Sequence, residues 1–111
     1  MNSSARKVAI AAYKERKPAN GVFAVVCNAT GEAWVGQSRN LDAQQNSLWF
    51  TLKHGSSPFR ALQGAWNEHG EGEFRFEELE RLREDFPTLT LASELKSRQS
   101  LWTARLKAQK L

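Results

Sequence analysis

The sequence predicts an α/β protein in which helices sandwich a small three-stranded antiparallel sheet. Two runs of strand-forming residues flank the turn sequence Asn28-Ala29-Thr30-Gly31, a pattern that predicts a β-hairpin. Further along the chain, Phe74 and Phe76 alternate with charged residues, which predicts a third strand beside the hairpin. Apolar residues recur at helical spacing on both sides of that strand, so we expect helices to cover the sheet.

The hairpin is the clearest element. Its first strand contains Val22, Phe23, Val25 and Val26, and its second strand runs over 32–35. β-branched and aromatic residues fit the pleated surface of a strand. We expect Phe23 and Trp34 to lie on adjacent antiparallel strands.

Three helices are predicted after the hairpin. Asn40 is a good N-cap for a helix that ends at about Lys53, Pro58 opens a second helix that ends at Gly70, and a last helix follows Pro87. Their apolar stripes are formed by Leu41, Leu48, Trp49 and Leu52, by Leu62, Ala65 and Trp66, and by Leu91, Leu95, Trp102 and Leu106.

A further helix is predicted at the N-terminus, where Ser3 or Ser4 can serve as its cap. Val8 and Ala12, four residues apart, would share one face. We expect residues 1–19 to form a helical extension packed on a single domain of residues 20–111.

Composition favours one soluble domain. The chain has 111 residues and is 41% hydrophobic, which suits a core that needs no disulfide. Cys27 is the single cysteine and is expected to be a small buried residue of the first strand. No apolar run approaches the length of a membrane span or a signal-peptide core, so a cytoplasmic protein without membrane contact is expected. The oligomeric state is left open.

The charge distribution suggests a nucleic-acid partner. The formal net charge is +4, and basic ends flank an acidic segment at 68–85. Basic helices can follow a phosphate backbone, and the residues expected to do so are Arg39, Lys53, Lys96 and Arg98. DNA is favoured over RNA as the partner, although the sequence leaves the choice between them open. The alternative is that these side chains only solvate helix faces.

Two short motifs, Gly21-Val22-Phe23 and Trp34-Val35-Gly36, face each other across the hairpin. They resemble the motifs of the GIY-YIG nuclease family, with Phe23 and Trp34 where that family has tyrosines. The runs 36–41, 62–70 and 74–80 follow in the family's order and spacing. The resemblance covers roughly residues 20–106 and implies a GIY-YIG-like fold.

The resemblance also implies where a nuclease site would lie. In that family a Glu on the last helix holds one divalent metal, a hairpin Tyr helps to activate water, and an Arg stabilises the phosphate. The corresponding positions here are Gln99, Phe23 with Trp34, and Gln44; Leu48 stands where the family has His or Tyr. An amide is a poor ligand for a hard cation, and glutamine lacks the charged fork of arginine. We expect Gln44 and Gln99 to converge on one cleft, with an impaired site and no cofactor; Mg²⁺ or Mn²⁺ would be needed if activity remained.

Replacement catalytic groups are available in the sequence. These are Arg39, His54, Ser57, His69, Glu77, Glu78 and Glu80. Each histidine precedes a glycine at a predicted helix end, where an imidazole complements the helix dipole. Three tryptophans have core spacing, whereas Trp34 is expected to line the cleft with Phe23, Arg39 and Gln44.

Three functions remain open from the sequence. The first is a GIY-YIG-fold nucleic-acid-binding or accessory domain with an impaired nuclease site. The second is a metal-dependent endonuclease with rearranged catalytic residues. The third is a protein-interaction module that uses the acidic segment 68–85.

Overall fold

A computed structural model describes residues 18–111. Over these residues the chain forms four strands and three α-helices: β1 (Gly21–Cys27), β2 (Ala33–Ser38), α1 (Leu41–Lys53), α2 (Arg60–His69), β3 (Phe74–Arg81), α3 (Thr88–Arg105) and β4 (Gln109–Lys110). A short 3₁₀ helix, Glu71–Glu73, leads into β3. The expected N-terminal helix lies outside the described residues. No helix in the described part of the chain is both long and apolar enough to cross a bilayer.

The sheet has the strand order β3-β1-β2-β4. β1 pairs antiparallel with both β2 and β3, as predicted. The prediction of a three-stranded, wholly antiparallel sheet is nevertheless wrong, because β4 adds a fourth strand parallel to β2. β4 has only two residues, Gln109 and Lys110, too few to give an alternating pattern in the sequence.

The hairpin register places the two aromatic positions on adjacent strands. Val25 lies opposite Trp34, and Phe23 lies opposite Gly36. At the turn, Gly31 has a φ of 78° and donates its N–H to the carbonyl oxygen of Cys27 at 2.8 Å. A positive φ is accessible to glycine at little steric cost, so Gly31 suits this turn.

The two faces of the sheet bury different helices. Phe23, Val25 and Trp34 point towards α1 and α2 and form the larger part of the core. On the opposite face, Val35 packs with Trp102 of α3. Adjacent residues of a strand point to opposite faces, so each residue of β2 is assigned to one helical layer or the other.

The first two helices begin by a different mechanism from the one predicted. The side chain of Asn40 makes no cap hydrogen bond to α1; instead, the backbone N–H of Asn40 donates to Ser38 Oγ at 3.0 Å. α2 begins at Arg60, and just before it the backbone N–H of Phe59 donates to Ser57 Oγ at 3.2 Å. The buried faces are as predicted, except that Trp49 is half-buried.

The last helix differs from its predicted stripe at one end. Leu91 and Leu95 are buried as expected, but Leu106 is 39% exposed because α3 ends at Arg105. Gln99, only 1% exposed, continues the buried face in its place. A buried amide requires hydrogen-bond partners, and these lie at the end of β2.

Arg81 ties α1 to β3 on the surface. Its guanidinium donates to Glu78 Oε1 at 2.7 Å and to Asp42 Oδ1 at 2.9 Å. The carboxylates of Glu78 and Asp42 raise the pKa of Arg81 above its ordinary value. The bridge fixes the start of α1 beside the end of β3.

Candidate functional site

The C-terminal end of β2 bonds both glutamines that the resemblance selects, Gln44 and Gln99. Gln37 Nε2 donates to Gln99 Oε1 of α3 at 3.0 Å. The next residue, Ser38, donates its hydroxyl to Gln44 Oε1 of α1 at 2.8 Å. The consecutive β2 residues Gln37 and Ser38 are thus hydrogen-bonded to one glutamine from α3 and one from α1, respectively.

Gln99 is a fully engaged buried amide. Its Nε2 donates to the carbonyl oxygens of Val35 and Leu111, each at 2.9 Å, while its Oε1 accepts from Gln37. Carbonyl oxygens can only accept, so the amide nitrogen must face them and the oxygen must face Gln37. The arrangement therefore fixes the orientation of the amide and joins α3, β2 and the segment after β4.

This arrangement does not fit a divalent cation. A hard cation is held by oxygen ligands, preferably carboxylates. The oxygen of Gln99 is directed at a donor group, and its nitrogen occupies the space between two carbonyls. Within residues 18–111, moreover, no group of three or more His, Cys, Asp or Glu side chains is placed to hold a metal.

Gln44 and Gln99 lie on opposite faces of the sheet. Ser38 pairs with Gly21 across the hairpin, and a Cβ at Gly21 would point at Leu41 of α1. Ser38 therefore lies on the face of the sheet that α1 covers, and so does Gln44, to which it is bonded. Gln37 and Gln99 belong to the face of α3. The expectation that both glutamines line one cleft is therefore wrong; they share one end of β2 and approach it from two sides.

The hairpin aromatics are core residues. Phe23 is 2% exposed and stacks on Phe76 with ring centroids 5.1 Å apart. Trp34 is 1% exposed and lies near Phe74, and its Nε1 has no hydrogen-bond partner. Trp34 does not line an open cleft, contrary to the prediction, because its face of the hairpin is covered by α1 and α2. Leu48 is buried in the same core.

Two of the four basic residues predicted to contact phosphates form ion pairs with carboxylates, and the other two do not. Lys53 pairs with Glu71 at 3.4 Å, and Arg98 pairs with both Glu80 and Glu94. Arg39 and Lys96 are exposed and have no ion-pair partner among the described residues. Arg39 directly follows Ser38, and Lys96 lies one helical turn before Gln99.

Lys110 adds a third cation to this region. Its Nζ lies 3.4 Å from Ser100 Oγ, and Ser100 follows Gln99 on α3. Arg39, Lys96 and Lys110 are together called the basic rim below. Arg39 lies two residues after Gln37, Lys96 three residues before Gln99, and Lys110 contacts the residue after Gln99.

Most of the replacement catalytic groups already have structural partners. His54 caps α1, with its Nδ1 2.8 Å from the carbonyl oxygen of Phe50, and His69 ends α2 beside Glu68 at 3.9 Å. Ser57 supports the start of α2. Both histidines thus occupy the helix-end positions predicted for them.

The acidic segment 68–85 is largely paired within the domain. Three of its carboxylates form ion pairs with nearby arginines: Glu77 with Arg75, Glu78 with Arg81, and Asp85 with Arg83. Glu80 accepts the indole N–H of Trp102 at 2.9 Å and also pairs with Arg98. These carboxylates are engaged by neighbouring side chains and do not form a bare acidic surface.

Sequence patterns did not identify Gln37, Ser38 or Lys110 as members of this region. A signal for Gln99 was present, since Leu91, Leu95 and Gln99 follow one another at four-residue spacing and so share a helix face. The partners of Gln99 come from β2 and the segment after α3, which only the tertiary fold brings together.

Comparison with solved structures relates the fold of this chain to nuclease domains. The catalytic domain of homing endonuclease I-TevI matches with a TM-score of 0.69 at 17% identity, over 83% of this chain and 97% of that chain. A mutant of the catalytic domain of intron endonuclease I-TevI matches with a TM-score of 0.67 at 18% identity, over 80% and 84% of the two chains. No protein-family model matches, and no curated protein matches in sequence.

At such low identity the likeness concerns the backbone alone, since one fold hosts many functions. It extends over most of both chains even though Gln44 and Gln99 occupy opposite faces of the sheet. The chain therefore has a GIY-YIG-like nuclease-domain fold.

Proposed function

We propose that this protein is a nucleic-acid-binding domain on a GIY-YIG-like scaffold, and that it binds without metal-dependent cleavage. The neighbours are described as the catalytic domain of a homing endonuclease. That likeness supports a nucleic-acid partner for this chain, DNA in the first instance.

The hydrogen bonding of Gln99 is the observation that most supports the loss of cleavage. Phosphodiester hydrolysis on such a scaffold needs a Lewis acid and stabilisation of the charged phosphate. Gln99, at the family's metal position, is an amide committed to three structural hydrogen bonds. Gln44, at the arginine position, is neutral and bonded to Ser38.

The basic rim supports binding. Arg39, Lys96 and Lys110 are exposed and carry no ion pair among the described residues, and each lies close in sequence or by contact to Gln37 or Gln99. Lysine and arginine that meet phosphates release counterions, which gives sequence-independent affinity. Lys53 and Arg98, which are engaged by carboxylates, are assigned structural roles in this proposal.

The protein-interaction alternative receives less support. It requires acidic side chains that are available to a partner, whereas Glu77, Glu78 and Glu80 are bonded to arginines of the same domain.

A binding titration tests the proposal. Fluorescence anisotropy with labelled single-stranded and duplex DNA, and with RNA of the same sequence, should show weak binding at low salt that falls steeply as salt rises. The double variant Arg39→Gln and Lys96→Gln should weaken binding more than the double variant Lys53→Gln and Arg98→Gln, which removes the same charge. No binding at low salt, or binding indifferent to salt, would refute the proposal.

A further inference from the structure

One phenylalanine ring of the described chain is left largely in solvent. Phe50 of α1 is 61% exposed, whereas the other phenylalanines and the tryptophans of residues 18–111 are buried or half-buried. Phe50 lies outside the core because Leu41, Leu48 and Leu52 form the buried face of α1. Its ring therefore presents an apolar surface that a flat ligand could cover.

The ring of Phe50 is paired with that of His54, one helical turn further along the chain. The two ring centroids lie 4.3 Å apart, with an angle of 34° between the ring planes. His54 Nδ1 lies 2.8 Å from the carbonyl oxygen of Phe50, and because a carbonyl oxygen only accepts, Nδ1 must donate. This bond fixes the imidazole beside the phenyl ring. The ring pair is thus formed in advance, which lowers the entropic cost of binding a ligand.

Polar and positive groups adjoin the ring pair. With Nδ1 donating, Nε2 of a neutral His54 is an acceptor, and it has no hydrogen-bond partner among the described residues. Gln63 Nε2 donates to the carbonyl oxygen of Leu52 at 3.0 Å, which fixes the first turn of α2 against the last turn of α1. Arg60 lies one turn before Gln63, is exposed and has no ion-pair partner within residues 18–111. An available cation therefore lies on the helix that adjoins the ring pair.

We propose that Phe50 and His54 form a stacking site for an unpaired base of single-stranded nucleic acid, with Arg60 placed to meet a neighbouring phosphate. This inference rests on the proposed function and names the kind of nucleic acid that the site accepts. Proteins hold single strands by combining aromatic side chains with basic ones, and such stacking tolerates any sequence because every base has a flat π face. A purely apolar protein surface would desolvate Arg60 without pairing it, which disfavours a partner of that kind.

The stacking site lies a few nucleotides from Arg39 of the basic rim, measured along α1. Phe50 follows Leu41 by nine residues, and nine residues of α-helix rise by about 14 Å. Arg39 lies two residues before Leu41. One strand of B-form DNA advances about 3.4 Å per nucleotide, so about four nucleotides cover this length. A short oligonucleotide is thus long enough to contact both.

Substitutions of the exposed ring test the proposal in the full-length chain. Phe50→Leu keeps an apolar side chain but removes the π face, whereas Phe50→Trp keeps an aromatic ring. Leu101→Ala is the control, because Leu101 is 53% exposed on α3 and its truncation also removes exposed apolar area. The fold should tolerate all three changes, and thermal unfolding verifies that each variant is folded.

Two fluorescence measurements at low salt provide the readout. Anisotropy compares a labelled single strand with a blunt duplex of the same sequence, and a single strand with 2-aminopurine between thymines reports stacking by quenching of its emission. The natural chain should bind the single strand and quench 2-aminopurine. Phe50→Leu should lose about fivefold or more in single-strand affinity and most of the quenching, with duplex affinity changed less than about twofold. Phe50→Trp and Leu101→Ala should retain both the single-strand affinity and the quenching.

The outcomes separate this inference from the proposed function. If the natural chain binds single strands and Phe50→Leu binds and quenches equally well, the stacking site is overturned while nucleic-acid binding stands. Equal losses in Phe50→Leu and Leu101→Ala would also overturn it. So would self-association of the natural chain that Phe50→Leu abolishes in sedimentation experiments without any change in single-strand affinity, since the ring would then join two copies of the chain. If the natural chain binds neither oligonucleotide, the proposed function fails and this inference fails with it.

Discussion

Gln99 of α3 donates an amide hydrogen to the carbonyl oxygen of Val35 on β2 at 2.9 Å, across 64 positions of sequence. The same nitrogen donates to Leu111, so one side chain joins the last helix to β2 and to the end of the described chain. The position at which the resemblance implies a metal-binding carboxylate is thus used for packing. Two substitutions of Gln99 test whether its amide serves the packing of the fold or whether the position can still accept a metal-binding carboxylate.

Gln99→Glu should be strongly destabilising near neutral pH. The introduced carboxylate would face two carbonyl oxygens without a hydrogen to donate, so burial would raise its pKa and favour the neutral form. A carboxyl whose pKa is raised in the folded state stabilises that state more at low pH, and the benefit is lost as pH rises through the folded pKa. Urea unfolding between pH 5 and 7.5 should therefore show the variant losing stability as pH rises, relative to the natural chain.

Gln99→Ala is the control for that pH dependence. It removes the same hydrogen bonds without adding a titratable group, and it should cost about 2–4 kcal/mol at every pH. A Gln99→Glu variant as stable as the natural chain at pH 7.5, or one that gains thermal stability from Mg²⁺, would show that the position still accommodates a ligand carboxylate.

The core tryptophans should differ in their contributions. Trp66 is 6% exposed and packs against Trp49 and Phe74, so Trp66→Ala should cost about 3–5 kcal/mol in the free energy of unfolding. Trp102 is only half-buried, and Trp102→Ala should cost about half as much, with part of the loss coming from its bond to Glu80. Equal losses in urea unfolding would show that the two layers of the core are not as described.

The glycine that opens β1 should be intolerant of a side chain. A Cβ at Gly21 would lie 2.0 Å from the backbone carbonyl oxygen of Glu80, so Gly21→Ala requires β1 and β3 to separate and should cost more than about 2 kcal/mol. Gly64, inside α2, has open space at its Cβ position, and Gly64→Ala should stabilise by about 0.5–1 kcal/mol. Opposite signs in thermal unfolding are expected; a tolerated Gly21→Ala would contradict the register of β1 with β3.

The elements that the sequence predicted well are those with strong local patterns. Turn chemistry and β-branched residues located the hairpin, and the spacing of Leu41, Leu48 and Leu52 located the buried face of α1. β4 was not predicted because Gln109 and Lys110 form a strand only where β2 offers an open edge. Local pattern carries no information about such an edge.

The candidate site was predicted less completely. The resemblance selected Gln44 and Gln99, and both are bonded at the end of β2. Their partners Gln37 and Ser38 lie in the matched run 36–41, but nothing in the sequence gave them a role in the site. Trp34 was expected to line the cleft because its position was compared with a catalytic one. Which helix covers a strand face depends on tertiary packing, and that packing placed Trp34 under α1 and α2.

The most direct test of the account is a plasmid-nicking assay with the natural chain in Mg²⁺ and in Mn²⁺, under salt conditions in which anisotropy shows DNA to be bound. We expect bound DNA and no nicking in either metal, because Gln99 and Gln44 provide neither a ligand carboxylate nor a phosphate-stabilising charge. Metal-dependent nicking that is abolished by Glu77→Gln or His54→Ala, and unaffected by Gln99→Ala, would contradict the account and establish an active site elsewhere on the fold.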